Sequence, residues 1–197
     1  MNRRKLIQLL PATGAGLALP AHARPIPKDA ISAGGFAISV QCWSFREFTL
    51  FEAIEKAGAA GASAVEVFPG QAVGGPFEEA KCRPDMPDEQ VAAIIEHCSK
   101  HGITPVNFGV TDVPNNEAEA RVFFEFARKL GLYGITTEAL GSLDLLEKLA
   151  REYDIKVCFH NHPKPTKLWN PDTIWKAIED RDERIGYCAD IGHWATS

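Results

Sequence analysis

The chain has 197 residues, 45% of them hydrophobic and 24% charged, with a formal net charge of −5. That balance belongs to a globular protein able to bury a core and excludes a disordered chain. No dense Lys/Arg stripe is present to neutralise several phosphates, which argues against a nucleic-acid groove and leaves small-molecule chemistry as the expectation.

The first 23 residues, "MNRRKLIQLLPATGAGLALPAHA", read as a targeting segment. Arg3, Arg4 and Lys5 precede a weakly apolar stretch that closes on Ala21-His22-Ala23, a cleavage pattern of small residues. The paired arginines resemble a twin-arginine signal, which passes folded proteins; a plain secretory signal is the alternative. The stretch is too short and interrupted to span a bilayer. Its removal takes away three positive charges and no acid, moving the net charge from −5 to −8. The expected destination is the periplasm or another exported location, with residues 24–35 as a linker.

From residue 36 two periods alternate. β-rich runs lie at 36–43, 62–68, 103–110, 133–139, 155–160 and 185–191. Helical patterns fall between them, at 50–61, 87–102, 115–131, 142–154 and 170–182. Pro87 and Gly102 bracket the second helix, and Asn170-Pro171 gives the last a cap and a first-turn proline. Strands alternating with helices imply a parallel α/β sheet, either closing toward a barrel or lying open and doubly wound. "CWSFREFTLFEA", after the first run, has no glycine and so no phosphate-cradling loop.

Of the five cysteines, Cys42, Cys158 and Cys188 sit in apolar runs that favour buried free thiols; only Cys82 and Cys98 look pairable.

Polar residues recur where the strands end: Glu66, Asn107, Glu138, His160 with His162, and Asp190 with His193. In parallel βα folds that end forms the site face. Alternation along a strand points His160 and His162 one way and Asn161 the other. The two imidazoles can then converge with Glu138 and Asp190 on one divalent ion. Mixed nitrogen and oxygen ligands suit Mn, Zn, Fe or Co, and a carboxylate-rich site also accepts Mg. Glu66 is read either as a site member or as a solvated loop entry. Trp43 and Trp194 either stack on a sugar ring or cap the core. His97 and His101 have ligand-like spacing, but no general-base Glu follows the first, and both are expected at the solvent-exposed surface.

"VCFHNHP", followed some thirty residues later by "YCADIGHW", resembles the sugar phosphate isomerase/epimerase family of xylose isomerase-like TIM barrels, in particular its inosose dehydratase-like and keto-sugar branches. The resemblance covers residues 36–197. It implies a (β/α) barrel with one divalent metal at the C-terminal mouth. Asp190 matches the family's metal-binding Asp and His193 a histidine that contacts substrate oxygens. His160 falls where many relatives have a metal-binding, proton-abstracting Glu, so Glu138 becomes the candidate acid. The resulting assignment is Glu138 and His160 as catalytic, Glu138, His160 and Asp190 as metal ligands, and His162, His193, Trp43, Glu66 and Asn107 as substrate contacts.

The implied chemistry is proton transfer beside a carbonyl of a sugar, keto-sugar or cyclitol, or elimination by the same parts. Such a barrel needs eight βα units and about 250 residues. The sixth predicted strand ends near Ser197, so the expectation is about six of eight units, lacking ligands from strands 7 and 8, with weak metal binding and little turnover. A non-catalytic, carbohydrate-binding remnant is the alternative. The charge and export signal disfavour DNA cleavage, and export disfavours a phosphorylated sugar. No stable membrane span is expected, and the oligomeric state stays open.

Overall fold

The computed structural model describes residues 32–33 and 36–197. The export signal expected over 1–23 lies outside the described residues, as does the linker at 24–35 apart from Ser32–Ala33 (β1), which pairs antiparallel with Phe36–Ala37 (β2). The first expected strand, 36–43, is therefore divided. Its start turns back on β1, and only Val40–Gln41 (β3) enters the main sheet. Cys42–Phe45 forms a 3-10 turn, begun when the Gln41 side chain accepts a hydrogen bond from the Trp43 amide at 3.0 Å.

Beyond it, strand and helix alternate as the periodicity predicts. Leu50–Ala59 (α1) precedes Ala64–Val67 (β4), and Asp88–Lys100 (α2) precedes Thr104–Thr111 (β7). Glu117–Leu130 (α3) leads to Gly134–Thr137 (β8), and Leu143–Tyr153 (α4) to Lys156–His160 (β9). Pro171–Ile178 (α5) then leads to Ile185–Cys188 (β10), and Ile191–Ala195 (α6) follows. Between β4 and α2 lies an antiparallel hairpin absent from the sequence reading, Ala72–Gly74 (β5) with Phe77–Lys81 (β6). Gly74 and Gly75 turn it at φ +83° and +60°, a conformation open to glycine. A Cβ on Gly74 would come within 2.6 Å of the Thr49 side chain, so the hairpin sits directly on the start of α1.

Local chemistry explains the helix ends. Thr49 and Glu52 form a reciprocal capping box at α1, with the Thr49 amide donating to Glu52 at 2.8 Å. Asn116 and Asn170 cap α3 and α5, and Gly131 ends α3 in the left-handed conformation at φ +70°. The apolar stripe of α3, Ala120, Phe124 and Ala127, faces the core, where Phe126 meets Phe108 of β7 edge to face at 5.0 Å.

The six main strands lie in the order β3-β4-β7-β8-β9-β10, every neighbouring pair parallel. Each new strand is added beside the previous one, without the reversal of strand order that defines a doubly wound sheet. Of the two arrangements open to the sequence, this is the barrel-type winding. The sheet is not closed: β3 and β10 are its edges among the described residues. All strand C-termini therefore share one rim. No helix among the described residues is long and apolar enough to cross a membrane.

Cys82 and Cys98 are both buried free thiols, and their apolar surroundings push each thiol up to about 12. One sequence expectation needs correction. His97 and His101 are half-buried and not fully at the surface, because α1 packs against them: the His97 ring stacks on Phe51 at 4.1 Å, and only 12% of its side chain is accessible.

Candidate active site

The centre of the rim is β9 and the loop after it. His160, the last residue of the strand, is buried, with Nδ1 3.4 Å from Glu138 Oε1 and Nε2 3.5 Å from Asp190 Oδ2. One imidazole thus stands between carboxylates delivered by its two neighbouring strands. His162 Nδ1 contacts the same Glu138 oxygen. Both histidines of "HNH" therefore turn to one side, while the fully buried Asn161 turns to the other, as strand alternation requires.

Asn161 does work that the sequence reading did not assign. Its amide donates to the Asp190 carbonyl at 3.0 Å and its carbonyl accepts from the Asp190 N–H at 2.9 Å. The exits of β9 and β10 are tied together at that point. Asp190 then caps α6, accepting from the His193 amide at 3.0 Å, while His193 Nε2 lies 3.6 Å from its Oδ2. The rings of His160, His162 and His193 gather within 5.7 Å of one another, centroid to centroid.

Charge follows this geometry. Burial lowers the His160 pKa, against the opposing pull of Glu138, and so favours the neutral imidazole that ligates metals. Burial also works against ionisation of Asp190, yet the His193 N–H and the His193 and His160 imidazoles hold its carboxyl below the usual range. Two overlapping groups can each hold a cation, Glu138/His160/His162 and His160/Asp190/His193, with ligand atoms in each within 4.8 Å of one another. Imidazole with carboxylate is the donor set of Zn, Mn, Co or Fe, so the residues present fit a divalent metal.

A cavity of about 670 Å³ opens beside this cluster, the size of a small-molecule pocket. His160, His162, Asp190 and His193 line it on one side, and Gln41, Glu66 and Thr136 are also in its wall. Glu66 is held by Asn107, which donates to Oε1 at 3.0 Å and also contacts Thr136. Burial pushes the Glu66 carboxyl up to about 7, although the hydrogen bonds from Thr136 and Asn107 pull the other way. Glu66 thus faces the cavity and not open solvent. Asn107 does not line the cavity; it sits behind Glu66 and orients it.

Trp43, 57% exposed, lies in the cavity wall edge-on to Phe68 at 5.1 Å, whereas Trp194 packs on Tyr187 outside it. Glu138 lies behind the two histidines and does not line the cavity. Gln41 and Cys188 also face the cavity and had no distinguishing sequence signal; Gln41 anchors to the Gly109 carbonyl at 3.0 Å.

No family model matches the chain, and no curated protein matches its sequence. Solved structures do. An uncharacterised protein from Parabacteroides distasonis is 36% identical, with a TM-score of 0.70 over 79% of this chain and 63% of that one. D-psicose 3-epimerase from Clostridium cellulolyticum, solved with D-tagatose, is 14% identical at TM-score 0.59, over 80% of this chain and 64% of its own. A sugar phosphate isomerase/epimerase from Parabacteroides distasonis is 10% identical at TM-score 0.58, over 87% and 72%. The chain spans less than two thirds of the length of the first two. In fold, the chain is similar to these sugar isomerases and epimerases: a parallel α/β sheet with strands added one beside the next, open between β3 and β10 among the described residues.

Proposed function

We propose that this chain carries the metal and sugar site of a divalent-metal-dependent isomerase or epimerase of the sugar phosphate isomerase/epimerase family. The observation that carries the reading is His160 set between Glu138 and Asp190 at the rim of a ligand-sized cavity. His160 and Asp190, with Glu138 or His193, would hold the ion. When bound, the metal would polarise a carbonyl and the neighbouring hydroxyl oxygens, making the adjacent proton more acidic.

The chain's own residues supply the rest. Glu66 faces the cavity with a carboxyl poised near neutrality, so it can take or return a proton at working pH. Epimerisation needs a proton removed from one face and returned to the other. Glu66 is assigned one of these transfers, and Glu138, acting through His162, which contacts it and lines the cavity, the other. His162 and His193 can donate to sugar hydroxyls, and exposed Trp43 offers an apolar ring face. Among the described residues, no Lys or Arg lines the cavity, which favours a neutral sugar or cyclitol over a phosphorylated one. The twin-arginine-type start supports an exported location for this chemistry.

The test is exchange of carbon-bound hydrogen in deuterated water, followed by proton NMR with D-fructose, D-tagatose and inosose-type ketones in the presence of Mn²⁺. Metal-dependent loss of the proton beside the carbonyl supports the reading. Binding of these sugars without exchange would instead favour a carbohydrate-binding remnant.

A further inference from the structure

The helical layer holds a second group of ligand-type side chains, none of which lines the cavity. His97 and His101 lie four residues apart, on one face of α2 and its C-cap. Glu55 of α1 reaches between them: its Oε1 is 3.3 Å from His97 Nε2 and 3.9 Å from His101 Nε2. The three ligand atoms lie within 4.8 Å of one another. A tetrahedral ion with bonds of about 2.0–2.1 Å sets its ligands about 3.4 Å apart, so the group needs only a small adjustment to close on one.

Three further features favour a site over an accidental cluster. The His97 ring is already oriented, stacked on Phe51 at 4.1 Å and 11°. Gly58 allows the two helices to meet, since a Cβ there would lie 3.3 Å from the His101 carbonyl. His101 Nε2 is buried and has no hydrogen-bond partner, which is unfavourable unless something else satisfies it. The competing role for His97 is a hydrogen bond from the same Nε2 to the Phe51 carbonyl at 3.2 Å, which the ion would replace. That bond satisfies His97 but leaves His101 unpartnered.

We propose that Glu55, His97 and His101 form a structural site for a zinc-class divalent cation that clamps α1 to α2. Two imidazoles and one carboxylate are ligands suited to Zn²⁺ and Co²⁺. Glu55 is 51% accessible and His101 28%, so the ion enters from solvent and keeps water at its remaining position. The clamp joins the first two βα units and takes no part in the sugar chemistry.

The experiment is calorimetric titration of the whole chain with Zn²⁺, comparing wild type with Glu55→Gln, His101→Gln and Asp190→Ala, alongside Co²⁺ absorption spectra. The expected result is a binding equivalent that weakens at least tenfold in Glu55→Gln, disappears in His101→Gln and persists in Asp190→Ala, with a tetrahedral Co²⁺ spectrum that follows the same pattern. Zinc should also raise the melting temperature of wild type more than that of either helix variant. Equal stoichiometry, affinity and zinc-induced melting shift in wild type, Glu55→Gln and His101→Gln would overturn the proposal. Because Asp190→Ala reports on the rim alone, failure there leaves this outcome readable.

Discussion

The buried Asn161 side chain closes a two-way hydrogen bond with the backbone of Asp190, at 3.0 and 2.9 Å, and so sets the spacing between the histidines after β9 and the carboxylate after β10. Asn161→Ala leaves an N–H and a carbonyl of Asp190 without their partners, each worth about 1–3 kcal/mol when desolvated. The expected loss is about 3 kcal/mol in urea unfolding, with metal affinity at the rim lowered as well. A variant as stable as wild type that binds metal equally well would show that the pair is not what holds the two loops together.

Glu66 predicts a pH dependence. Its folded pKa, about 7, lies above the ordinary carboxyl value of 4.5, so the folded state holds the proton more tightly. Its contribution to stability is complete below about pH 4.5 and is lost as pH rises through 7. The span corresponds to at most about 3 kcal/mol. Denaturant titrations at pH 5 and 8 should show a fall in wild type that is smaller in Glu66→Gln. Parallel pH profiles for the two proteins would place the Glu66 carboxyl in an ordinary solvated setting.

Phe159 is fully buried immediately before His160, on the face of β9 opposite the histidine. Phe159→Ala should lower stability by about 3–5 kcal/mol, the range for emptying a packed aromatic site. Thermal unfolding measures it. A loss under 1 kcal/mol would mean that the sheet and helix layers repack around the gap.

Thr49→Ala removes the α1 capping box and should destabilise the protein by about 1 kcal/mol, a change visible in chemical denaturation and unrelated to metal binding at the rim. No change would mean that water replaces the cap without loss.

Much of this architecture can be read from periodicity. The runs at 103–110 and 155–160 became β7 and β9 almost residue for residue, because buried parallel strands concentrate β-branched and aromatic side chains. The run at 185–191 ended earlier, at Cys188, because Asp190 caps a helix that starts at Ile191. The β5–β6 hairpin escaped because its strands are short and partly polar and its turn depends on two glycines packed against α1, a tertiary contact. The convergence of Glu138, His160 and Asp190 was legible because strand ends in this winding share one rim. The Asn161–Asp190 tie and the approach of Glu55 to His97 were not, since both depend on how neighbouring units pack. That Glu66 faces the cavity was not legible either, since it depends on burial and on the Asn107 hydrogen bond from a neighbouring strand.

If the proposed function is right, His160 and Asp190 hold a divalent ion at the rim of the cavity. Mn²⁺ binding followed by electron paramagnetic resonance in wild type, His160→Ala and Asp190→Ala tests it most directly, with Glu55→Gln as a control outside the cavity. One bound Mn²⁺ is expected in wild type and in Glu55→Gln, with affinity at least tenfold weaker in each rim variant. Equal Mn²⁺ binding in wild type, His160→Ala and Asp190→Ala would contradict it.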